Sequence, residues 1–235
     1  MNIYHLKIKR QREGDRRLYP SADGSDVPDN GHIFRKLSGF DEIPPPAEIP
    51  LLDYFTLTSF EVKTRWEWIL CDAMNFQGKY PMSCEMFVSE KFKKLLESFN
   101  LGNHAFYESR LMFKGEKLTY FIFKQDEDVL VDFSKSKFRL EKGMLRPTPL
   151  EDFEGIINSK KELREIEKQL EDKYLKFKKM AFLAPQTDMF LIRELPKLGI
   201  SERLKNEIEN AGITGIEISP FENIEFEFLS ADFFT

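Results

Sequence analysis

The order of apolar and polar residues predicts a sheet-rich chain with a few amphipathic helices. The stretch 118–124, LTYFIFK, is almost entirely apolar, which is typical of a central strand covered on both faces. From Glu222 to Phe228 acidic and aromatic residues alternate, which predicts a half-buried strand. At 92–99 the apolar residues recur with the spacing of one helix face. The pattern favours an α+β fold with a mostly antiparallel sheet.

One short unit is written twice along the chain. Aligned on Ser89 and Ser201, the stretches SEKFKKLLE and SERLKNEIE share four identities. We expect both serines to be N-caps, because a hydroxyl oxygen can accept a hydrogen bond from an open amide of the first helical turn. Glu90 and Glu202 then complement the positive end of the helix dipole. The repetition predicts two related strand–helix–strand units, with the Ser-Glu residues in structural positions.

Two glycines follow the second helix. We expect Gly212 to take the left-handed conformation after the last turn, because glycine adopts it without steric cost. Gly215 then begins a strand that Pro220 stops.

The segment 148–180 is predicted to be helical. Thr148-Pro-Leu-Glu151 and Ser159-Lys-Lys-Glu162 both have the form of a capping box. Leu163 begins an apolar stripe that continues to Phe177, and the stripe predicts one long amphipathic helix over 160–179.

These patterns predict a single domain made of four parts. The residues between 19 and 50 are rich in Pro, Gly, Asp and Ser, which predicts a long surface connection. The four parts are N-terminal strands with this Pro-rich connection at 1–80, the first unit with an antiparallel meander at 85–140, the helical insertion at 148–180, and the second unit with a C-terminal strand at 188–235.

Composition and charge indicate a protein of a reducing compartment. The 23 Phe predict a core rich in rings, and the net charge of −5 gives no reason to expect a nucleic-acid partner. No apolar stretch approaches the roughly 20 residues that a membrane span requires. Cys71 and Cys84 are too few for a disulfide framework. A bacterial cytoplasm is the simplest expectation.

The residue types that carry catalysis do not form a convincing set. Cys84 and His104 are near in sequence, but nothing supplies an orienting residue, and the cysteines and histidines lack metal-ligand spacing. No glycine-rich nucleotide motif occurs. We therefore expect neither an enzyme nor a cofactor or metal. The 40 Asp and Glu residues still leave a carboxylate-based enzyme open.

The acidic residues near the C-terminus are candidates for a partner surface. Several carboxylates on one exposed face would steer a basic protein partner toward it. Ordinary solvent-facing strand residues are the alternative. The candidates are Glu217, Glu222, Glu225, Glu227 and Asp232.

Three stretches resemble a bacterial immunity-protein family of polymorphic toxin systems, of the myxobacterial immunity-domain type. ISERLKNEIENAGITGIEISP is similar to the family's C-terminal signature, and VSEKFKKLLESFNLGNHAFYE is its counterpart in the first half. YFIFKQDEDVLVDFSKSKF is similar to a third element, an Asp-aromatic-x-x-Ser sequence formed by Asp132, Phe133 and Ser136. The resemblance covers about residues 85 to 220.

The resemblance implies a protein that binds and neutralises a cognate toxin encoded nearby, and it carries over no catalytic residues. Two other functions stay open on the residues alone. One is an enzyme or small-ligand-binding protein with carboxylates in a cleft, and the other is a scaffold for a partner that is not a toxin.

Overall fold

The chain divides into two compact units. The computed structural model describes residues 2–9, 21–37, 43–58, 70–77, 85–143 and 148–230. The first unit comprises Met1–Asp128 and Gln186–Pro220, and the second comprises Val129–Pro185 and Phe221–Thr235. Both repeated Ser-Glu helices belong to the first unit, and the segment predicted as a helical insertion belongs to the second.

Strands outnumber helices in the described chain. The strands are β1 Ile3–Ile8, β2 Ser21–Asp23, β3 Leu52–Thr58, β4 Ala73–Met74, β5 Phe76–Gln77, β6 Glu85–Ser89, β7 His104–Phe113, β8 Glu116–Gln125, β9 Val131–Lys142, β10 Thr148–Phe153, β11 Lys173–Leu183, β12 Met189–Ile192, β13 Lys197–Ser201, β14 Ile216–Pro220 and β15 Glu225–Leu229.

The helices are short. They are α1 Asn30–Leu37, α2 Glu90–Leu96, α3 Lys160–Glu167 and α4 Glu202–Asn210, with a 3-10 turn at Pro46–Glu48. Within the described ranges, no helix combines the length and the apolar character needed to cross a membrane. The chain therefore mixes helices with mostly antiparallel sheets, as the sequence pattern predicts.

The larger sheet of the first unit has the strand order β4-β6-β8-β7-β3-β2-β5. Strand β8 lies between β6 and β7 and is antiparallel to both. Its residues Ile122 and Phe123 face opposite sides, because side chains alternate along a strand, and both are fully buried. The prediction that 118–124 is a strand covered on both faces is confirmed.

A hydrophobic core lies on each face of this sheet. One core includes Phe34 and Leu37 of α1 together with Phe55 of β3. The other includes Phe92 of α2 and Leu204 of α4, and it also contains residues of a second sheet with the order β12-β13-β1-β14. All neighbouring strands of this four-stranded sheet are antiparallel.

The second unit is built on one sheet with the strand order β10-β9-β11-β15. Strand β9 is antiparallel to β10 and β11, and β15 runs parallel to β11. The rings of Phe138 and Phe177 lie 4.6 Å apart between centroids. Phe182 packs edge to face against Phe226 and Phe228, at 5.5 and 5.3 Å. Such ring pairs stabilise a sheet beyond the area they bury.

The predicted long helix is wrong beyond its first two turns. Ser159 caps α3 by accepting the N–H of Glu162 at 3.2 Å, as the capping box predicts. The chain then passes through Glu171, with a φ of 52°, and enters β11. Leu175 and Phe177 are both buried and are two residues apart, which is the period of a strand. The spacing between these residues and the apolar residues that begin at Leu163 also fits one face of a helix, and this is why the sequence pattern predicts a helix here.

Two further predictions around this segment are wrong. The predicted helix start at 148–151 begins strand β10, whose position at the edge of its sheet tolerates Pro149. The predicted third strand of the meander is β9, but it pairs with β10 and β11 in the second unit and not with β8.

The predicted surface connection at 19–50 is also wrong in part. It contributes β2 to the large sheet and α1 to its core, where Phe34 and Leu37 are fully buried. The segment is rich in Pro and Gly, and this composition gives no sign of the short helix that it contains. Residues Ile33, Phe34 and Leu37 lie on one face of that helix.

The two repeated units do not lie on one sheet. Strand β6 and helix α2 belong to the seven-stranded sheet, whereas β13 and α4 belong to the four-stranded sheet. The single-domain organisation stays a prediction.

The two glycines after α4 have different surroundings. Gly212 has a φ of 59°, which confirms its predicted left-handed conformation, and a Cβ there would meet nothing within 4 Å. Gly215 has a φ of 86°, and a Cβ there would lie 2.0 Å from the carbonyl oxygen of Ala73. Only glycine allows the chain to approach β4 this closely.

We therefore expect Gly215→Ala to destabilise the protein much more than Gly212→Ala. Gly212→Ala should lower the free energy of unfolding by about 1 kcal/mol, from backbone strain alone. Gly215→Ala should lower it by roughly 3 kcal/mol or more, because the overlap with Ala73 adds to the strain. Urea denaturation measures both values, and equal losses would contradict the close approach.

Candidate functional site

The repeated Ser-Glu residues start the two helices of the first unit. The hydroxyl oxygens of Ser89 and Ser201 each accept the backbone N–H three residues further on, at 3.2 Å in both helices. Glu90 and Glu202 lie in the first turns. The prediction that these serines are N-caps is confirmed.

Each capping serine is bound to an aspartate that precedes it in the chain. The hydroxyl of Ser89 donates to Oδ1 of Asp72 at 2.8 Å, and that of Ser201 donates to Oδ1 of Asp188 at 2.8 Å. The backbone N–H of each serine donates to the carbonyl oxygen of the same aspartate, also at 2.8 Å. Each hydroxyl group therefore both donates and accepts a hydrogen bond within the framework.

The second oxygen of each aspartate binds the chain that follows the other helix. Oδ2 of Asp72 accepts from the backbone N–H and the hydroxyl of Thr214, both at 2.9 Å. Oδ2 of Asp188 accepts from the backbone N–H of Asn100 at 3.1 Å. The arrangement is reciprocal: Asp72 joins the start of α2 to the chain after α4, and Asp188 joins the start of α4 to the chain after α2.

The second residue of each helix also contacts the aspartate of its own helix and the chain after the other helix. Lys91 of α2 donates to the carbonyl oxygen of Gly212 at 3.3 Å and lies 3.8 Å from Asp72. Arg203 of α4 binds both oxygens of Asp188, and its guanidinium carbon lies 4.8 Å from the centre of the Phe99 ring. Burial opposes ionisation of Asp188, but the bonds from Arg203 and Ser201 outweigh it and hold the pKa of this carboxyl below its ordinary value.

The acidic candidate Glu217 lies on β14 in the first unit. It forms an ion pair of 3.2 Å with Lys7 of the neighbouring strand β1. Asp232 lies outside the described residues.

The other acidic candidates belong to the second unit. Glu222 is exposed and precedes β15. Glu225 and Glu227 are two residues apart on β15 and therefore share a face of the sheet, and Glu227 is paired with Lys179 at 2.7 Å. The described candidates are thus divided between two units, and two of them are neutralised by lysines.

The Asp132–Ser136 element is a break in the ladder between β9 and β11. Lys137 is paired with Lys179, and the next pair joins Asp132 to Ala181. Between these two pairs β9 advances by five residues and β11 by only two. Strand β9 therefore loops out of the ladder here. Irregularities of this kind bend a strand and redirect its side chains.

Hydrogen bonds close this loop at both ends. Oδ1 of Asp132 accepts from the hydroxyl of Ser134 at 2.6 Å and from the N–H of Lys135 at 3.2 Å. The hydroxyl of Ser136 donates to the carbonyl oxygen of Asp132 at 2.7 Å and accepts the N–H of Ala181 at 3.1 Å. Asp132 and Ser136 thus have structural roles.

A cavity of about 300 Å³ lies beside this break, and we call it the bulge cavity. Two more ladder irregularities border it, one at Lys178 in β11 and one between Pro149 and Asp152 in β10. Clustered bulges often accompany functional sites. The cavity is lined by Ser134, Lys135, Ser136, Lys137, Phe138, Asp152, Phe153, Glu154, Gly155, Ile156 and Lys178.

An exposed aromatic residue of the first unit lies in a fourth irregular stretch. Tyr54 has a φ of 71° and is 47% exposed. It lies where the ladder between β3 and β7 shifts, between the pair Leu52–Ser109 and the pair Phe55–Leu111. A non-glycine residue with this φ stores strain, and such residues cluster at functional positions.

Two charged neighbours contact Tyr54, one at its backbone and one at its ring. Oδ1 of Asp53 accepts the N–H of Tyr54 at 2.7 Å, and Oδ2 accepts from Lys117 at 2.6 Å. The Lys117 ammonium lies 4.5 Å from the centre of the Tyr54 ring. The hydrogen bond from Lys117 also lowers the pKa of Asp53. Lys117 therefore lies against the ring, and much of the residue faces solvent.

Burial moves the pKa of two side chains of the described chain away from neutral pH. The thiol of Cys71 has a pKa raised to about 11 by burial, and burial lowers the pKa of His5 to about 4. Nδ1 of His104 lies 2.9 Å from the carbonyl oxygen of Gly102, and Cys84 lies outside the described residues. Among the residues that the structure describes, no three His, Cys, Asp or Glu side chains are grouped to hold a metal ion.

Among the residues that the structure describes, every carboxyl group with a shifted pKa is shifted downward. Hydrogen bonds to the charged form outweigh burial in each of them. A carboxyl that acts as a general acid needs a raised pKa. The groups with a lowered pKa are Asp53, Glu90, Asp132, Asp172 and Asp188.

Sequence reasoning missed the aspartates Asp72 and Asp188, Tyr54 and the bulge cavity. A comparison of the chain with protein-family models and with curated proteins found no match.

We expect Asp188→Asn to weaken the dependence of stability on acidic pH. The folded pKa of Asp188 is lowered, so its contribution is complete above the ordinary value of 3.8 and is lost as the pH falls from there through the lowered folded pKa. At pH 7 the variant should lose roughly 1–3 kcal/mol, because Arg203 and the amide of Asn100 lose a charged acceptor.

Urea titrations between pH 7 and pH 2 measure this difference. Asp172→Asn is the control, because Asp172 has a lowered pKa but forms an exposed pair with Lys142. Identical pH profiles for Asp188→Asn and the wild type would rule out the proposed role of the aspartate.

Proposed function

We propose that the protein is a non-enzymatic immunity protein that binds a cognate toxin domain encoded nearby and neutralises it. In this proposal the α+β fold is built from two related strand–helix–strand units, and the Ser-Glu and Asp132–Ser136 residues serve as framework. The resemblance of three stretches to a bacterial immunity-protein family supports the class. Ser89, Ser201 and Ser136 form hydrogen bonds within the framework, and we therefore place the function on the protein surface.

The single observation that carries partner binding is the exposed ring of Tyr54. Tyrosine is among the residues that most often dominate binding energy in protein interfaces. The bond of Asp53 to the Tyr54 backbone and the contact of Lys117 with the ring already restrict this residue, so less freedom is lost when a partner covers it. Leu51, three residues earlier in the chain, adds exposed apolar surface and is 51% exposed.

Neutralisation would proceed by occlusion. A partner domain would cover Tyr54 and Leu51, with roughly 800 Å² buried on each side as in interfaces of standard size. The ion pairs Asp53–Lys117 and Glu108–Arg110 would lie around the ring as a neutral polar rim. Such a surface selects a partner by shape and apolar contact more than by net charge.

Co-expression tests the function directly. The C-terminal domain encoded by the neighbouring gene should arrest growth when expressed alone. Growth should recover when this protein is co-expressed, and the two proteins should purify together. A domain that is not toxic but still purifies with this protein would favour the scaffold function, and a toxic domain that is neither bound nor neutralised would refute the proposal.

Tyr54→Gly separates binding from stability. Loss of the ring should weaken binding of the toxin domain about tenfold or more. The free energy of unfolding should stay within about 1 kcal/mol of the wild type, because glycine adopts a positive φ without strain. Isothermal titration calorimetry and urea denaturation measure the two effects.

Ser201→Ala is the matched control. It should lower the free energy of unfolding by about 1 kcal/mol through loss of the cap, with unchanged affinity for the toxin domain. Full affinity in Tyr54→Gly would place the interface elsewhere. A loss of affinity in folded Ser201→Ala would contradict the framework role of the repeated unit.

A second candidate function is the binding of a small molecule in the bulge cavity. Its volume of about 300 Å³ lies at the lower end of ligand-binding pockets. Its lining includes lysines, carboxylates and phenylalanines, and such a mixture of polar and apolar groups is typical of binding pockets.

A further inference from the structure

Strand β15 forms one edge of the four-stranded sheet in the second unit. Its residues pair with β11 in regular register, from Glu225 opposite Lys179 to Leu229 opposite Leu183. Within the described chain, no strand pairs with the other side of β15. An open strand edge is a template on which a further strand can form hydrogen bonds.

One hydrogen bond shows which backbone groups of β15 face outward. The carbonyl oxygen of Leu229 accepts the N–H of Ala184 at 3.4 Å, so Leu229 directs its backbone groups toward β11. Every second residue of a parallel ladder does the same, and the two glutamates of β15 therefore also face β11. Phe226 and Phe228 direct their N–H and C=O groups to the open side, where these groups have no partner among the described residues.

The opposite edge of the same sheet is protected against strand addition. Strand β10 contains Pro149, which has no N–H, and its ladder with β9 is irregular between Pro149 and Asp152. Prolines and bulges at an edge discourage the pairing of a further strand. Strand β15 has neither feature, so it is the edge of this sheet that is suited to a further strand.

The side chains of β15 indicate which strand would fit. Phe226 and Phe228 lie on one face, against Phe182, and are half-buried. Glu225 and Glu227 lie on the other face, because side chains alternate along a strand. An added strand would continue both rows, with apolar residues beside the phenylalanines and basic residues beside the glutamates. A second copy of β15 would bring glutamates beside glutamates, and like charges on neighbouring strands repel.

The neighbour that β15 already has shows the same complementarity. Lys179 of β11 is in register with Glu225 and forms an ion pair of 2.7 Å with Glu227. On the other face, Phe182 is in register with Phe228. A strand with basic residues on one face and apolar residues on the other thus already fits the inner side of β15.

We propose that the open edge of β15 binds an extended segment of a partner protein in which basic and apolar residues alternate. The segment would form hydrogen bonds with the outward N–H and C=O groups of Phe226 and Phe228, and its cations would lie near Glu225 and Glu227. The backbone bonds would supply affinity, and the two rows of side chains would select the sequence. This inference goes beyond toxin neutralisation and does not depend on it.

Hydrogen exchange of single amides in the full-length protein tests the proposal. The probe is a blocked heptapeptide of alternating lysine and valine. In the free protein the amides of Phe226 and Phe228 should exchange faster than those of Glu227 and Leu229, which donate to β11. Saturating peptide should slow the two phenylalanine amides about tenfold. Unchanged exchange would overturn the proposal. Protection that rises with the concentration of the protein alone would assign the edge to a second copy and would also overturn it.

Matched peptides separate strand addition from attraction between charges. A peptide of the same composition with its valines adjacent, and one of alternating glutamate and valine, should each bind about fivefold more weakly. N-methylation of every second residue removes the N–H groups along one edge of the peptide. Methylation of the edge that faces β15 should weaken binding about tenfold or more, and methylation of the other edge should have little effect. Equal losses from the two methylated peptides would contradict strand addition.

A charge reversal assigns the site. Glu225→Lys should weaken binding of the lysine–valine peptide about threefold and strengthen binding of the glutamate–valine peptide. Glu151→Lys on β10 is the matched control and should change neither affinity, because Glu151 is equally exposed but lies on the opposite edge. Unchanged preference in Glu225→Lys would overturn the assignment.

The outcomes for the two functions are distinguishable. A toxin domain that is neutralised, with no protection of β15 by the peptide, would refute this inference alone. Peptide binding at β15, with a toxin domain that is neither bound nor neutralised, would support this inference and refute the immunity function alone.

Discussion

The reciprocal bonds of Asp72 and Asp188 determine how the first unit is assembled. A carboxylate removed from water must find donors, or its burial costs several kcal/mol. Asp188 finds them in Ser201, Arg203 and the amide of Asn100, which come from both helical segments. Because each aspartate binds the start of one helix and the chain after the other, neither helix can shift without breaking bonds of both. The core between α2, α4 and the two sheets is thereby fixed.

Close backbone packing follows from the same bonds. Ala73 follows Asp72, and its N–H donates to the carbonyl oxygen of Thr214 at 3.0 Å. Gly215 is therefore held against the Ala73 carbonyl, where no side chain fits. The repeated Ser-Glu units, their aspartates and this glycine act together as framework. The proposed sites at Tyr54 and the bulge cavity lie outside the repeated units, where the ladders are irregular.

The sequence predicts those parts of the fold whose signals are local. The caps at Ser89, Ser201 and Ser159 depend on residues within one helical turn, and all three form as predicted. The bonds of Asp72 and Asp188 to the serines could not be predicted, because the aspartates precede their serines by 17 and 13 residues and so have no fixed spacing. The end of α3 could not be predicted because Leu170, Tyr174 and Phe177 have the spacing of a helix face, although Tyr174 and Phe177 lie on β11. Ladder shifts depend on pairing between distant strands, so neither candidate site is visible in the sequence.

Irregular ladders explain why both candidate sites have side chains that a regular sheet would not present. In a regular strand, side-chain direction alternates strictly, and a shift of the ladder is needed to change it. The shift in β3 presents Tyr54 at a φ of 71°, which costs of order 1–3 kcal/mol against a typical total stability of about 5–15 kcal/mol. Burial of the ring does not offset this cost, because 47% of the residue stays exposed. The flanking residues Leu52 and Phe55, both fully buried, and the hydrogen bond from the Tyr54 N–H to Asp53 hold the strained residue within the fold. The exposed ring adds little to the core at this cost, and it is therefore the part of Tyr54 that a bound partner would cover.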